Sequence, residues 1–279
     1  MSAVPIEDVV RDIRELPALP SVVLELIETF DKPEVDIATL ADKISRDQAL
    51  AAKTLRLANS SFYGLSAKVK TVNQAIVVLG FDSVRALVSA GGIIDHFQGG
   101  GGPVDATLFW RHAIATALCS RHLARATRQN QDHAFIAGLL HDIGELVLAT
   151  RFSAPYQQAL DLAARSDCGL LKAEQEVLGI DHQRVGLVLA QAWRFPDMIG
   201  RAIAHHHAPQ HEDLGRLPAI VHVADAIVDA LDLLGNESTL VPQLQDNVWD
   251  SLALEPAQLR AVFRDTELQF EEACQILAP

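Results

Sequence analysis

Seven residues of metal-ligand type lie in one stretch of this 279-residue chain: His112, the adjacent pair His141-Asp142, His182, the pair His205-His206, and Asp225. Imidazole nitrogens and carboxylate oxygens are donors that divalent first-row metals take readily. Several of the seven sit in apolar, helix-like sequence, where an unpaired charge is costly and calls for a partner. If they converge, the chain holds one metal ion or two. The chemistry then open to it is Lewis-acid chemistry on water and on a carbonyl or phosphoryl oxygen.

Each residue alone also has a plainer reading. A lone histidine in a helix such as the one containing Trp110-Arg111-His112 is ordinarily a satisfied core or surface residue. In AFIAGLLHDIGELVL, burying Asp142 without compensation is expensive. A metal would offset that cost, with the two carboxylate oxygens free to bridge two ions; a helix cap or a salt bridge to Arg111 or Arg121 would offset it too. Glu145 follows the pair at three- and four-residue spacing and shares its helical face, where it could orient a ligand histidine. His182 comes just after Asp181, an N-cap candidate, and reads equally as an exposed first-turn residue. His205-His206-His207 ends a helix begun after Pro196. Helix neighbours point about 100° apart, so two of the three can reach one site while the third faces water. A polar helix end is the alternative there. Asp225 stands among apolar residues in VHVADAIVDAL, with a surface position as its alternative; the surface is the expected place of Asp229 and Asp232.

The elements that must position these residues are helical. Val22, Val23, Leu26, Ile27 and Phe30 recur at three- and four-residue steps. Prolines between Leu16 and Pro20 bar a continuing helix, so one restarts near Ser21, an N-cap candidate. Asp36, Asp47, Thr71 and Asp82 are expected to open further helices, with Gly80 as a break and Asn59 to Ala67 as a loop. No long strand alternation and no internal repeat stands out. The run Gly99-Gly100-Gly101-Gly102-Pro103 is the clearest punctuation. It is taken as a linker between an N-terminal helical lobe, 1–98, and a second lobe, 104–279, which carries all seven candidate ligands.

Composition narrows the function classes. Hydrophobic residues make up 49% of the chain and the formal net charge is −13. That charge argues against nucleic acid and against an anionic membrane surface as partners. Three scattered cysteines give no disulfide framework. No stretch is read as reaching the ~20 apolar residues of a membrane span, and the N-terminus lacks signal-peptide character. A cytoplasmic protein is the expectation.

The order His … His-Asp … His … His-His … Asp on successive helices resembles the HD superfamily of metal-dependent phosphohydrolases, especially its HD-GYP branch. The whole chain, from about Leu16 to Leu277, is more similar to the HDOD-domain proteins of bacterial signalling. The carrying segments are ELPALPSVVLELI, ISRDQALAAKTLRLANSSFYG, TVNQAIVVLGFDSVRALV, AGLLHDIGELVL and LGIDHQRVGLVLAQAWRFP. The resemblance implies an all-α fold, an N-terminal helical bundle packed on an HD-type helical domain, and a regulatory role.

By the HD-GYP pattern, His112, His141, Asp142, His182, His205, His206 and Asp225 correspond to ligands of one or two ions; Fe, Mn, Zn, Co and Ni all suit such mixed donors. Two departures point away from cyclic-dinucleotide hydrolysis. Glu145 stands where the family has a phosphate-contacting lysine, and HAPQHEDLGRLP replaces the glycine-tyrosine-proline stretch. The resulting expectation is a signalling module acting through a protein partner or a small phosphate-containing ligand. The alternative is a metal-dependent phosphohydrolase of a nucleotide or phosphodiester, with Asp142 as its catalytic residue. A homodimer is a further expectation, one that no specific residue supports.

Overall fold

The computed structural model of the chain describes residues 4–16, 18–30, 32, 34–60, 68–97, 102–166, 168–209, 215–234 and 244–277. Among these residues the fold is all-helical and no strand is present. The first six helices are α1 (Ile6–Arg14), α2 (Ser21–Ile27), α3 (Ile37–Arg46), α4 (Gln48–Ala58), α5 (Val72–Leu79) and α6 (Phe81–His96). The next five are α7 (Ala106–Ala126), α8 (Gln131–Leu140), α9 (Ile143–Arg151), α10 (Ser153–Ser166) and α11 (Leu170–Leu178). The chain continues through α12 (His182–Ala192), α13 (Asp197–His205), α14 (Leu217–Ala230), α15 (Asp246–Ser251) and α16 (Pro256–Leu277).

Helix starts follow local chemistry. Asp36, Asp47, Thr71 and Asp181 each accept a backbone N–H of the following turn, as N-cap side chains do. Gly80 separates α5 from α6 at φ 86°, a left-handed region that glycine enters freely. Ser21 departs from its expected role: it is the first residue of α2, Pro20 holds the cap position, and no side-chain cap bond forms. Of the expected loop 59–67, residues 61–67 lie outside the described set, as do residues 99–101 of the glycine run.

Helices α2 to α6 pack on one another, and α7 packs along α8, α14 and α16. The two groups are also joined: α1 lies on α12, α6 on α8, and α16 reaches back to α4 and α6. Their buried apolar side chains form one continuous core. Arg85 is buried, 4% exposed, stacked 4.1 Å from the centre of the Phe30 ring and donating to the Thr29 carbonyl at 2.6 Å.

One stretch, Gln131–Arg151, is apolar and long enough to cross a membrane by composition, contrary to the expectation that none would be. Its place in the fold explains that character, because 78% of its most apolar window is buried. A turn at His141–Asp142 also divides it into α8 and α9.

Candidate metal centre

Helix α7 carries His112, the α8–α9 turn carries His141 and Asp142, and α12 opens on His182. His206 and His207 lie in the turn after α13, and α14 carries Asp225. Small residues let these elements approach closely. A Cβ on Gly138 would lie 2.6 Å from Ser120 Oγ and 2.8 Å from the Thr116 carbonyl, so α8 presses against the backbone of α7. A Cβ on Gly144 would lie 2.0 Å from the His182 carbonyl, so α9 and α12 touch backbone to backbone. These two contacts bring His112 and His182 to opposite sides of Asp142.

The two oxygens of Asp142 face different histidines. Oδ2 is 3.0 Å from His141 Nε2 and 3.9 Å from His112 Nε2. Oδ1 is 3.2 Å from His206 Nε2 and 3.5 Å from His182 Nε2. Asp225 Oδ1 completes the first set, 3.0 Å from His112 Nε2 and 3.5 Å from His141 Nε2. His207 Nε2 completes the second, 3.1 Å from His182 Nε2. Donors bonded to one ion at about 2.0–2.2 Å stand about 2.9–3.6 Å apart in tetrahedral or octahedral shells. All but one of these separations fall in that range.

Ring nitrogens away from the centre are already committed. His141 Nδ1 donates to the Gly138 carbonyl at 2.7 Å and His206 Nδ1 to the Ile203 carbonyl at 2.9 Å. His182 Nδ1 donates to Glu174 at 2.7 Å. Because a carbonyl oxygen only accepts, the neutral tautomers of His141 and His206 present a bare Nε2 to the centre. Those two Nε2 atoms and Asp142 Oδ1 are buried and have no hydrogen-bond partner despite their proximity. Orphaned lone pairs converging in this way fit a divalent cation.

Electrostatics of the pocket follow from the same packing. Burial disfavours the Asp142 carboxylate, but His141, His206 and His182 outweigh it and hold its pKa well below the usual range. Asp225 is likewise lowered, burial being outweighed by His112 and His141. Burial also opposes charge on His182, yet Glu174 and Asp142 raise it to about 10. Burial pushes His207 down to about 2, helped by His206 and His182. Protons on the histidines and a divalent cation are thus two competing ways to balance the carboxylates.

The groups His112–His141–Asp142 and Asp142–His182–His206–His207 therefore come together, with Asp225 beside His112. His205 is not in them; His207 occupies the place expected for it. His206 keeps helical backbone, with φ −64° and ψ −27°, and it is the neighbouring pair His206-His207 of the triplet that faces the centre. Glu145 is beside His182 and Glu174, and burial together with the Asp142 charge raises it to about 8. The hydrogen bond that orients His182 comes instead from Glu174, 0% exposed, which also accepts the His182 backbone N–H at 2.9 Å. Asp229 is not a surface residue: its side chain is 10% exposed, with Oδ1 3.7 Å from His112 Nδ1. Asp232 is exposed, as expected. Of the two arginines considered for Asp142, Arg111 pairs with Glu271 and Arg121 stands 3.7 Å from Asp132. Asp142 makes no side-chain cap bond.

A helical fold with this His-Asp centre defines the class, and comparison with known proteins gives the family. Residues 16–209 match the HDOD domain, and the chain belongs to that family. The match includes His112, His141, Asp142, His182, His206 and His207 but not Asp225 or Asp229. Among solved structures, an HDOD domain protein with unknown function from Geobacter sulfurreducens superposes with TM-score 0.72 at 27% identity, covering 94% of this chain and 89% of that one. A protein of Shewanella amazonensis SB2B named "Putative phosphohydrolase" gives 0.76 at 26% identity, covering 97% and 98%. An uncharacterized protein of Treponema pallidum is 27% identical over 219 residues, 77% of this chain and 42% of its own length. YuxH of Bacillus subtilis is 34% identical over 61 residues, 22% and 15%. The chain thus spans less than half the length of these curated relatives.

Proposed function

We propose that this chain is a regulatory HDOD module that holds two divalent transition-metal ions and acts by binding another protein or a ligand rather than by robust turnover. The observation that carries this reading is the division of Asp142, with Oδ2 toward His112 and His141 and Oδ1 toward His182 and His206. His112, His141, Asp142 and Asp225 would hold one ion, and Asp142, His182, His206 and His207 the other. Divalent ions here would supply Lewis acidity and lower the pKa of water.

No lysine or arginine is among the charges acting most strongly on Asp142, Glu145, Asp225 or Asp229. Beside the two ions, a phosphate entering the pocket would meet carboxyl groups rather than cationic side chains, which favours a regulatory role over hydrolysis. In this account the ions tie α7, α9, α12, α13 and α14 together, and the N-terminal helices, residues 1–98, offer the partner surface. Exposed Ile37, Val77 and Val78 on α3 and α5 support that placement.

A second reading, a metal-dependent phosphohydrolase, is supported by the near-complete overlap with the Shewanella protein and its name. Asp142 would then align the attacking water. Metal-loaded protein assayed against phosphodiesters and nucleotides separates the two. Retained metal with no turnover supports the module; turnover abolished in Asp142→Ala supports the hydrolase.

A further inference from the structure

Helix α14 carries a buried histidine that neither donor set uses. His222 is 3% exposed and precedes Asp225 by one helical turn. Its Nδ1 is 2.8 Å from the backbone carbonyl of His206. A carbonyl only accepts, so this nitrogen carries the proton. Its Nε2 is buried with no hydrogen-bond partner.

The His206 carbonyl lies just past the end of α13, where helix carbonyls lack partners within the helix. Its neighbours are tied as well: the Ala208 N–H donates to the His205 carbonyl at 3.0 Å, and Gln245 Nε2 donates to the His207 carbonyl at 3.4 Å. Around His222, α14 is apolar and buried from Pro218 to Val228, apart from Asp225. An aliphatic side chain would sit there without leaving a ring nitrogen desolvated. The polar ring is therefore explained by the one bond it makes, to the backbone between two donor histidines.

We infer that His222 is a positioning residue: it fixes the His206–His207 turn so that these two side chains, and not His205, face Asp142. This rests on the two-ion reading above. Without the bond, the turn loses its only side-chain donor from α14 among the described residues, and small rotations of it carry both Nε2 atoms away from Asp142 Oδ1.

The test compares His222→Leu, which removes the donor, with His222→Asn, whose amide N–H can replace it. Two quantities are read: Mn²⁺ or Zn²⁺ ions bound per chain, and hydrogen exchange of the 206–208 amides in chelator. His222→Leu is expected to keep one ion instead of two and to exchange at those amides about tenfold faster. His222→Asn keeps both ions and the slow exchange. Two ions at wild-type affinity in His222→Leu, or unchanged exchange, overturns the inference. If the wild type binds no ion, the two-ion reading fails, while the exchange readout still decides the role of His222. If His222→Leu does not fold, His222→Asn decides: wild-type stoichiometry and exchange support the role, and a lost ion overturns it.

Discussion

Replacing Gly144 by alanine should remove one of the two ions while leaving the other. The added Cβ would lie 2.0 Å from the His182 carbonyl oxygen and 2.8 Å from both the His182 carbonyl carbon and the Gly186 nitrogen. All three are backbone atoms, so no flexible side chain can give way. Restoring an ordinary contact of about 3.4 Å requires α9 and α12 to part by about 1.4 Å. Metal–ligand distances tolerate only about 0.2 Å, so His182 leaves its set. His112, His141 and Asp225 sit on α7, the α8 end and α14, and keep theirs. Overpacking of this kind costs about 1–3 kcal/mol, or roughly 2–5 °C in Tm for a chain of this size. The assay is metal content after gel filtration, with a thermal melt in chelator. Gly169→Ala is the control, since nothing lies within 4 Å of its added Cβ. Two ions and an unchanged Tm in Gly144→Ala would refute the claim that this close approach builds half of the site.

Other consequences can be measured alongside. His207→Ala should lose an ion, whereas His205→Ala should keep both; plasma emission analysis of the two variants reads this directly, and the reverse pattern would restore the pair His205-His206 that the HD-GYP resemblance implies. Glu174→Leu removes the acceptor for both the Nδ1 and the backbone N–H of His182, and should weaken the ion on that side about 10- to 100-fold in competition with a chromophoric chelator, with the other ion unaffected. His122 is held below the free-imidazole pKa of 6.5, by burial first, though Gln269 opposes the shift. The unfolded chain takes up that proton before the folded one does, so this contribution is intact above about pH 6.5 and falls as the pH drops, by at most about 1.4 kcal/mol per pH unit. His122→Gln should flatten this acid limb in urea melts between pH 7 and pH 5; parallel limbs in both proteins would count against it.

What the sequence revealed depended on whether a residue kept to helical periodicity. The caps Asp36, Asp47, Thr71 and Asp181 were legible because a short acceptor before an apolar run has one main use. His112, His141, Asp142, His182 and Asp225 were legible as a candidate set because they repeat on successive helices. His207 was not, since helical spacing lets either neighbouring pair of the triplet reach one site and tertiary packing decides which pair does. Glu174 has a signal in the sequence as well: Leu170, Glu174 and Leu178 are four residues apart, which places an acid on the apolar stripe of α11. Asp229 follows Asp225 by four residues and shares its face, so its closeness to His112 could have been inferred from spacing. Ser21 shows the opposite failure, where a good capping residue lost the cap position to the proline before it.

The most direct measurement is a metal titration of chain purified without chelator or nickel resin, followed by calorimetry and elemental analysis, on the wild type and on Asp142→Ala. The account predicts two ions per wild-type chain, and loss of tight binding at both positions in Asp142→Ala, because one carboxylate serves both donor sets. A wild-type chain that takes up no Mn²⁺, Fe²⁺ or Zn²⁺, or an Asp142→Ala chain that still holds two ions tightly, would contradict it.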